Sequence, residues 1–319
     1  MNRLFSRIGC VLALAIVCAF LAATPARALT PGSMLGVCYS DGQCVSIDSA
    51  DFSSAVERIK AAGRIEAVRQ VGLRQFRGKA PVAEIVRAFA HLEKLELDYR
   101  DPVDLAALEG ISSLRELTVV RAPQAALESI VKLRQLEKLD LREGAFTRLA
   151  DFGAMVGLKR LDLNGAAVDS LAGLETTRLV ELELARTRVT NLAPLKAMTS
   201  LRKLGLNQTR VADLAPLARL QALEELYAAQ TSISSLAPLA ELPALTVLDV
   251  NKTAVADVKA LARAGRLRDL NLAQTRVRSL RPIRGLRSLA FLDLSTGALP
   301  EAEVAAFTQA LPDCKINFR

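Results

Sequence analysis

Leucines recur at fixed intervals along most of this chain. Between residues 179 and 288 the segments LVELELARTRVTNLAPLKAMTS, LRKLGLNQTRVADLAPLARLQA, LEELYAAQTSISSLAPLAELPA, LTVLDVNKTAVADVKALARAGR and LRDLNLAQTRVRSLRPIRGLRS repeat one pattern every 22 residues. Each opens on an L-x-x-L-x-L strand signal, with Ala228 and Val250 as the last apolar residue in two of them, places a Thr at the ninth position, and continues with apolar residues at short spacing. A period of this length marks a solenoid, in which no unit buries its apolar face alone and neighbours must stack. Along each strand, positions 1, 4 and 6 point inward and the residues between them point to the opposite face. Leu-Ala-Pro-Leu at 192–195, 214–217 and 236–239 predicts a short 3₁₀ or α turn on the return side.

Units of this kind begin at Leu92, Leu114, Leu136, Leu158, Leu179, Leu201, Leu223, Leu245, Leu267 and Leu289. The Leu158 unit is one residue short, and the loss falls in the loop Glu175-Thr176-Thr177-Arg178. The pattern resembles the leucine-rich repeat, in the short bacterial form typified by internalins. That resemblance implies an α/β fold: a curved leucine-rich-repeat solenoid with a parallel sheet on the concave face and short 3₁₀ or α turns on the convex one. It also implies a protein partner on the concave face and neither catalysis nor a cofactor.

The flanks read as caps, because terminal repeats must shield the core edge from water. Residues 29–91 form the N-terminal cap: a cysteine hairpin, a helix over about 52–62, then a degenerate repeat. The helix is capped by Asp51 and carries Phe52, Ala55, Val56 and Ile59 on one face. The degenerate repeat has Val68, Val71 and Leu73 as strand positions and a helix from about Pro81 to Ala90. Repeats fill 92–299. In the C-terminal cap, 300–319, Pro300 opens a helix carrying Val304, Phe307 and Leu311, and a strand follows at 315–318.

Thr187, Thr209, Thr231, Thr253 and Thr275 stand where many leucine-rich repeats carry Asn. A side chain there satisfies backbone groups at the bend leaving the strand, so these threonines read as a structural ladder rather than a functional hydroxyl row.

Composition sets the compartment. Arg3 and Arg7 precede an apolar run from Ile8 to Ala23, and Ala26-Arg27-Ala28 fits a cleavage site, so residues 1–28 read as a secretory signal peptide. The run is short for a membrane-spanning helix, and no second span follows. Without its leader the chain keeps 39 basic against 34 acidic residues, a net charge of +5. The expectation is a soluble protein in the periplasm or medium. Of five cysteines, Cys38, Cys44 and Cys314 remain. A three-residue Ser-Asp-Gly loop with Gly42 in the left-handed region sets Cys38 opposite Cys44, where an oxidising compartment favours a disulfide over two small buried side chains. Cys314 lies ten repeats off, about 45 Å away at 4.8 Å per strand, and cannot be their partner.

Little chemistry is on offer. His91 is the single histidine, sits in a turn without a nucleophile signature, and reads as a solvated loop residue. Zinc needs clustered Cys or His, and no phosphate-binding glycine loop occurs. One strand position is rich in acid, with Glu96, Asp140, Asp162, Glu183, Asp249 and Asp293. Paired carboxylates can act as hydrolases do, but Leu-Asp-Leu is a common strand sequence in such repeats and the bland reading prevails.

Charge divides the surface. Glu93, Arg115, Glu137 and Lys159 alternate in sign across successive strands, as do Lys94, Glu116 and Lys138, so the N-terminal half of the concave face neutralises itself. Nucleic acid, which needs unpaired cations and stacking aromatics, is not the expected partner. On the convex side Arg278, Arg281, Arg284 and Arg287 recur every three residues, beside Lys259, Arg263 and Arg266. They read either as a patch for anionic envelope surfaces or as a solvated face. Tyr227, Val247 and Phe291 are expected on the concave face, with Asp249, Asp269 and Asp293 around them, Lys252 and Arg268 as the cations opposing these acids, and Ala229 and Ala273 keeping the neighbourhood low. Such an apolar cluster with a charged rim is the expected docking site for a protein.

Overall fold

A computed structural model describes residues 34–48, 52–76, 82–99, 104–149 and 152–318. The leader, Asp51 and Pro81 lie outside them. Fourteen strands form one sheet in the order β14 to β3, then β1, then β2. They are β1 (Met34–Tyr39), β2 (Cys44–Asp48), β3 (Val68–Phe76), β4 (Lys94–Tyr99), β5 (Glu116–Val120), β6 (Lys138–Asp140) and β7 (Arg160–Asp162). The series continues with β8 (Glu181–Glu183), β9 (Lys203–Gly205), β10 (Glu225–Tyr227), β11 (Val247–Asp249), β12 (Asp269–Asn271), β13 (Phe291–Leu294) and β14 (Lys315–Phe318). From β3 onward every pairing is parallel, and each strand follows its neighbour in sequence.

Strict register makes the core. Leu95, Leu117, Leu139, Leu161, Leu182, Leu204, Leu226, Leu248, Leu270 and Leu292 lie directly side by side, one per unit, and each is at most 2% exposed. Burying each leucine contributes about 1.5–3 kcal/mol, so the solenoid is held by one continuous leucine spine. The return turns are 3₁₀, including Ala193–Ala197, Ala215–Leu217, Ala237–Leu239, Lys259–Arg263 and Arg281–Ile283. Proline fits the first positions of four of these because its missing N–H has no partner there. Just before each turn a short polar side chain accepts a backbone N–H: Asn191 from Ala193, Asp213 from Ala215, Ser235 from Ala237, Asp257 from Lys259 and Ser279 from Arg281.

The bend after each strand carries two further devices. Each ladder threonine donates its hydroxyl to the carbonyl three residues back, at 2.7–2.8 Å: Thr187 to Leu184, Thr209 to Leu206, Thr231 to Ala228, Thr253 to Val250 and Thr275 to Leu272. The residue before the threonine is left-handed. Arg186, Gln208, Gln230, Lys252 and Gln274, with Arg121 and Glu143 in earlier units, have φ between 54° and 63°. A side chain there costs about 1–2 kcal/mol. The compensation is a backbone bond to the next unit: Arg186 N–H to Asn207, Gln208 to Ala229, Gln230 to Asn251 and Lys252 to Ala273.

At the N-terminus β1 lies between β2 and β3, antiparallel to both, so the hairpin extends the sheet itself. Cys38 faces Cys44 and the two are disulfide-bonded, with Gly42 at φ +80° in the turn. Helix α1 (Phe52–Ala61) covers the edge with Val56 and Ile59, and α2 (Val82–Ala88) buries Val82 and Ile85. One short helix, α3 (Ala126–Ile130), replaces a 3₁₀ return. At the far end α4 (Glu301–Ala310) buries Phe307, while Val304 is only partly covered. Cys314 is buried and unbonded, and burial pushes its thiol above the ordinary range.

The buried Thr253 hydroxyl donates to the Val250 carbonyl at 2.7 Å. Thr253→Val keeps the shape and removes that donor, so denaturant unfolding should report a loss of about 1–3 kcal/mol; an unchanged midpoint would remove the ladder's structural role.

Candidate binding surface

Three residues per strand reach the concave surface, and parallel stacking sets each beside its counterpart at roughly 4.8 Å. The row at the strand start runs Glu93, Arg115, Glu137, Lys159, Val180, Arg202, Glu224, Thr246, Arg268, Ala290, each N–H from Arg115 to Ala290 donating to the carbonyl before it in the row. The middle row runs Lys94, Glu116, Lys138, Arg160, Glu181, Lys203, Glu225, Val247, Asp269, Phe291, Lys315. The third holds Glu96, Thr118, Asp140, Asp162, Glu183, Gly205, Tyr227, Asp249, Asn271, Asp293 and Asn317.

In the first two thirds of these rows the charges pair. Glu93 meets Arg69 (3.4 Å), Glu116 meets Lys138 (2.6 Å), Glu137 meets Lys159 (2.8 Å) and Arg115 (4.0 Å), and Glu181 meets Arg160 (3.2 Å). Glu96 pairs with Lys94, Asp140 with Arg142 and Glu224 with Arg202. The hydrogen bond and charge of Lys159 hold the Glu137 carboxyl below its ordinary range. Asp162 is the exception: it is nearly buried, accepts the Asn164 N–H, and burial, with Asp140 and Glu183 alongside, pushes its carboxyl up.

The pairing stops at Lys203. Its ammonium lies 3.0 Å from Glu183 and 5.6 Å from the centre of the Tyr227 ring. Gly205 makes this possible, since a β-carbon there would fall 1.9 Å from the Glu183 carboxylate. Beyond it the middle row reads Glu225, Val247, Asp269, Phe291 and the third reads Tyr227, Asp249, Asn271, Asp293. Among the described residues Glu225, Asp249 and Asp269 have no cation at ion-pair distance. Glu225 accepts the Tyr227 hydroxyl at 3.0 Å, Asp249 accepts the Asn251 backbone and side-chain amides, and Asp293 accepts the Asn317 amide at 2.8 Å. The Asp269 carboxyl is pushed up by burial and by Asp293 and Glu225, against the pull of Arg268.

Phe291 is 45% exposed with the Lys315 ammonium 5.8 Å from its ring centre, whereas Tyr227 and Val247 are half-buried. The structure thus brings Tyr227, Val247, Asp249, Asp269, Phe291 and Asp293 together on one face. Ala229 and Ala273 are buried beneath the strand exit, their N–H groups bonded to the Asn207 and Asn271 side chains. Lys252 occupies the left-handed bend and makes no ion pair with these acids. Leucine-pattern reading missed Gly205 and Asn207, although a glycine at a strand position signals a close approach.

The convex arginines do not form one free ridge, which corrects the sequence reading. Arg284 is partly buried and pairs with Glu303 of α4 at 2.8 Å. Glu303 also accepts the Leu280 and Arg281 N–H groups and the Ser279 hydroxyl; burial opposes its ionisation, yet these donors and Arg284 hold its carboxyl low. Arg284 therefore fastens the C-terminal helix to the last return turn. Arg278, Arg281 and Arg287 stay exposed, with Arg278 bonded to the Ala298 carbonyl. Lys259 lies beside Asp257 and Arg263 beside Glu241. His91 is exposed and 3.1 Å from Glu66.

Two surface depressions lie elsewhere, and neither is lined by this patch. One open depression of about 500 Å³ lies among the return turns, by Glu175, Pro194, Lys196 and Arg219. A smaller one of about 300 Å³ lies within the ion-paired half, by Glu137, Lys159 and Glu181. Among the described residues no group of three His, Cys, Asp or Glu is set to hold a metal ion, and no helix is long and apolar enough to cross a membrane.

Solved structures share the architecture. An internalin (inlF) from Listeria monocytogenes superposes with a TM-score of 0.68 at 19% identity, covering 84% of this chain and 87% of that one. The fold is internalin-like. A second Listeria monocytogenes internalin, C2, is 25% identical over 67% of this chain and 93% of its own, with a TM-score of 0.54. The plant peptide hormone receptor RGFR1, solved in complex with RGF2, gives 0.59 at 14% identity over 78% of this chain and 47% of that one. No protein-family profile and no curated protein matches the sequence. The chain shares the leucine-rich-repeat solenoid fold of these structures.

Proposed function

We propose that this chain is an exported, non-enzymatic binding protein that holds a protein partner on the C-terminal half of its concave face. One observation carries the reading: lateral ion pairing covers the concave rows as far as Lys203 and Arg202, then gives way to Tyr227, Val247 and Phe291 beside Glu225, Asp249 and Asp269, which among the described residues have no cation at ion-pair distance. Exposed aromatic and aliphatic anchors rimmed by charge are the usual energetic centre of an interface. An open strand face suits a macromolecule better than a small ligand. That RGFR1 is solved with a bound RGF2 gives the scaffold a precedent for peptide partners. Export is supported by the basic, apolar and small-residue order of residues 1–28 and by a disulfide at Cys38–Cys44. Attachment to an anionic envelope surface by the convex arginines is the weaker reading, since Arg284 is taken by Glu303.

Two measurements test this. The exported protein should begin at or near Leu29 by amino-terminal sequencing; an intact Met1 in membrane fractions would contradict export. In partner capture with purified protein, Tyr227→Ala combined with Phe291→Ala should weaken binding by at least about 2 kcal/mol while leaving unfolding nearly unchanged. Glu137→Ala with Lys138→Ala, in the paired half, should change binding little. The reverse outcome would move the site to the N-terminal half.

A further inference from the structure

The sheet ends at β14, whose outer edge has no strand beside it among the described residues. Residues along a strand bond alternately to the neighbour on one side and the neighbour on the other. Lys315 donates its N–H back to Ala290, on the β13 side. Cys314, Ile316 and Phe318 therefore turn their backbone groups outward, except that the Cys314 N–H is taken by the Leu311 carbonyl. The open groups include the Cys314 and Ile316 carbonyls and the Ile316 and Phe318 N–H groups. The core row reaches the same edge, with Ile316 beside Leu292 and Phe318 beside Leu294. Ile316 is only partly covered and Phe318 is 52% exposed, whereas both leucines are at most 2% exposed. Strand edges are normally blunted by charge, proline or a bulge, and Ile316, Asn317 and Phe318 supply none of these. On the concave side Lys315 has no carboxylate at ion-pair distance among the described residues, its ammonium lying instead over the Phe291 ring.

We propose that this edge pairs with the same edge of a second copy, antiparallel, about a two-fold axis at Ile316. The open groups choose the register, because each then meets its complement. Ile316 N–H donates to the Ile316 carbonyl of the second copy, Phe318 N–H donates to that copy's Cys314 carbonyl, and the axis repeats both bonds. A two-fold contact has to be self-complementary in this way. Opposed residues of antiparallel strands share a face. Ile316 therefore packs against its own copy, and each Phe318 ring lies beside the other copy's Cys314, covering apolar surface that one chain leaves wet. On the concave face each Lys315 stands opposite the other copy's Asn317, whose amide is bonded to Asp293. Cation is thus set towards carboxylate, and no like charges oppose each other across the seam. Pairing β14 with β2 of another copy would leave a free edge at either end and grow into a filament. Joined at β14, the two sheets form one concave surface, with the two Phe291 positions three strand spacings apart, about 14 Å. The dimer does not depend on the docking surface proposed above, but it presents that surface twice to one partner, so two contacts act together.

Sedimentation of the purified protein over a range of concentrations tests this. Monomer should give way to dimer with a dissociation constant between about 1 μM and 1 mM, as suits a small contact. Phe318→Pro removes an outward N–H where an edge strand tolerates proline. It should weaken dimerisation at least about tenfold and leave thermal unfolding nearly unchanged. Ile316→Cys places a thiol on the two-fold axis, where bonded antiparallel residues stand about 5.5 Å apart, so mild oxidation should give a covalent dimer linked at position 316. Val156→Cys, exposed in a return loop away from β14, should stay monomeric under the same oxidation. A protein that remains monomeric up to about 1 mM overturns the proposal, as does a dimer that Phe318→Pro leaves intact. Growth into higher oligomers would indicate head-to-tail pairing through β2 and overturn it too. Should Phe318→Pro lower thermal stability, the cross-link decides: an Ile316→Cys protein that links no faster than Val156→Cys refutes the two-fold register.

Discussion

Parallel strands one unit apart place each concave side chain directly beside its counterpart, at roughly 4.8 Å, and everything on this face answers to that spacing. A charge repeated in successive units would stand against its own copy. The chain alternates sign instead, so Arg69 holds Glu93 while Arg115 and Lys159 flank Glu137. Each exposed pair contributes little alone. Together they leave a surface with few unmet charges, and that surface ends at Lys203, where Gly205 gives room for the Glu183 carboxylate. The asymmetry between the two halves thus follows from one rule obeyed up to a point and then abandoned.

The same spacing governs the backbone. Every unit must leave its strand through one bend, and from the Leu179 unit to the Leu267 unit each bend repeats a left-handed residue followed by a threonine. Glycine would suit the left-handed site, yet among residues 114–288 it appears there only at Gly165; Arg, Glu, Gln and Lys fill it otherwise. The strain persists because the N–H it directs reaches the next unit's carbonyl, so neighbouring repeats hold one another's bends. The leucine spine provides bulk stability, and these bonds between units fix the register that sets the concave side chains in rows.

Most of the architecture was legible in the sequence, because a 22-residue period with inward leucines leaves few alternatives. The cysteine pairing was legible too, since Gly42 has to take a positive φ in a three-residue turn. The left-handed bends were not, as Gln208 and Lys252 carry no turn signal of their own and are held by tertiary bonds. The insertion of β1 between β2 and β3 was equally hidden, because strand order past a cap depends on contacts far apart in sequence. The arginine ridge misled for a related reason: spacing shows that Arg278, Arg281, Arg284 and Arg287 share a side, but not that Glu303 of α4 returns to claim Arg284. On the concave face, alternation placed Tyr227, Val247 and Phe291 correctly, while the role of Gly205 at the boundary needed the side chains in place.

The central claim is that an incomplete row of lateral charges keeps the C-terminal half open for a partner. Val247 stands between Glu225 and Asp269, where the upstream rule calls for a cation. Val247→Lys would extend the alternation from Lys203 through Glu225 to Asp269 and close the row. The decisive measurement is partner capture by this variant beside its thermal unfolding. The account predicts an unfolding midpoint equal to or above that of the parent, with partner affinity at least about tenfold weaker. Undiminished capture by a Val247→Lys protein of normal stability would contradict it.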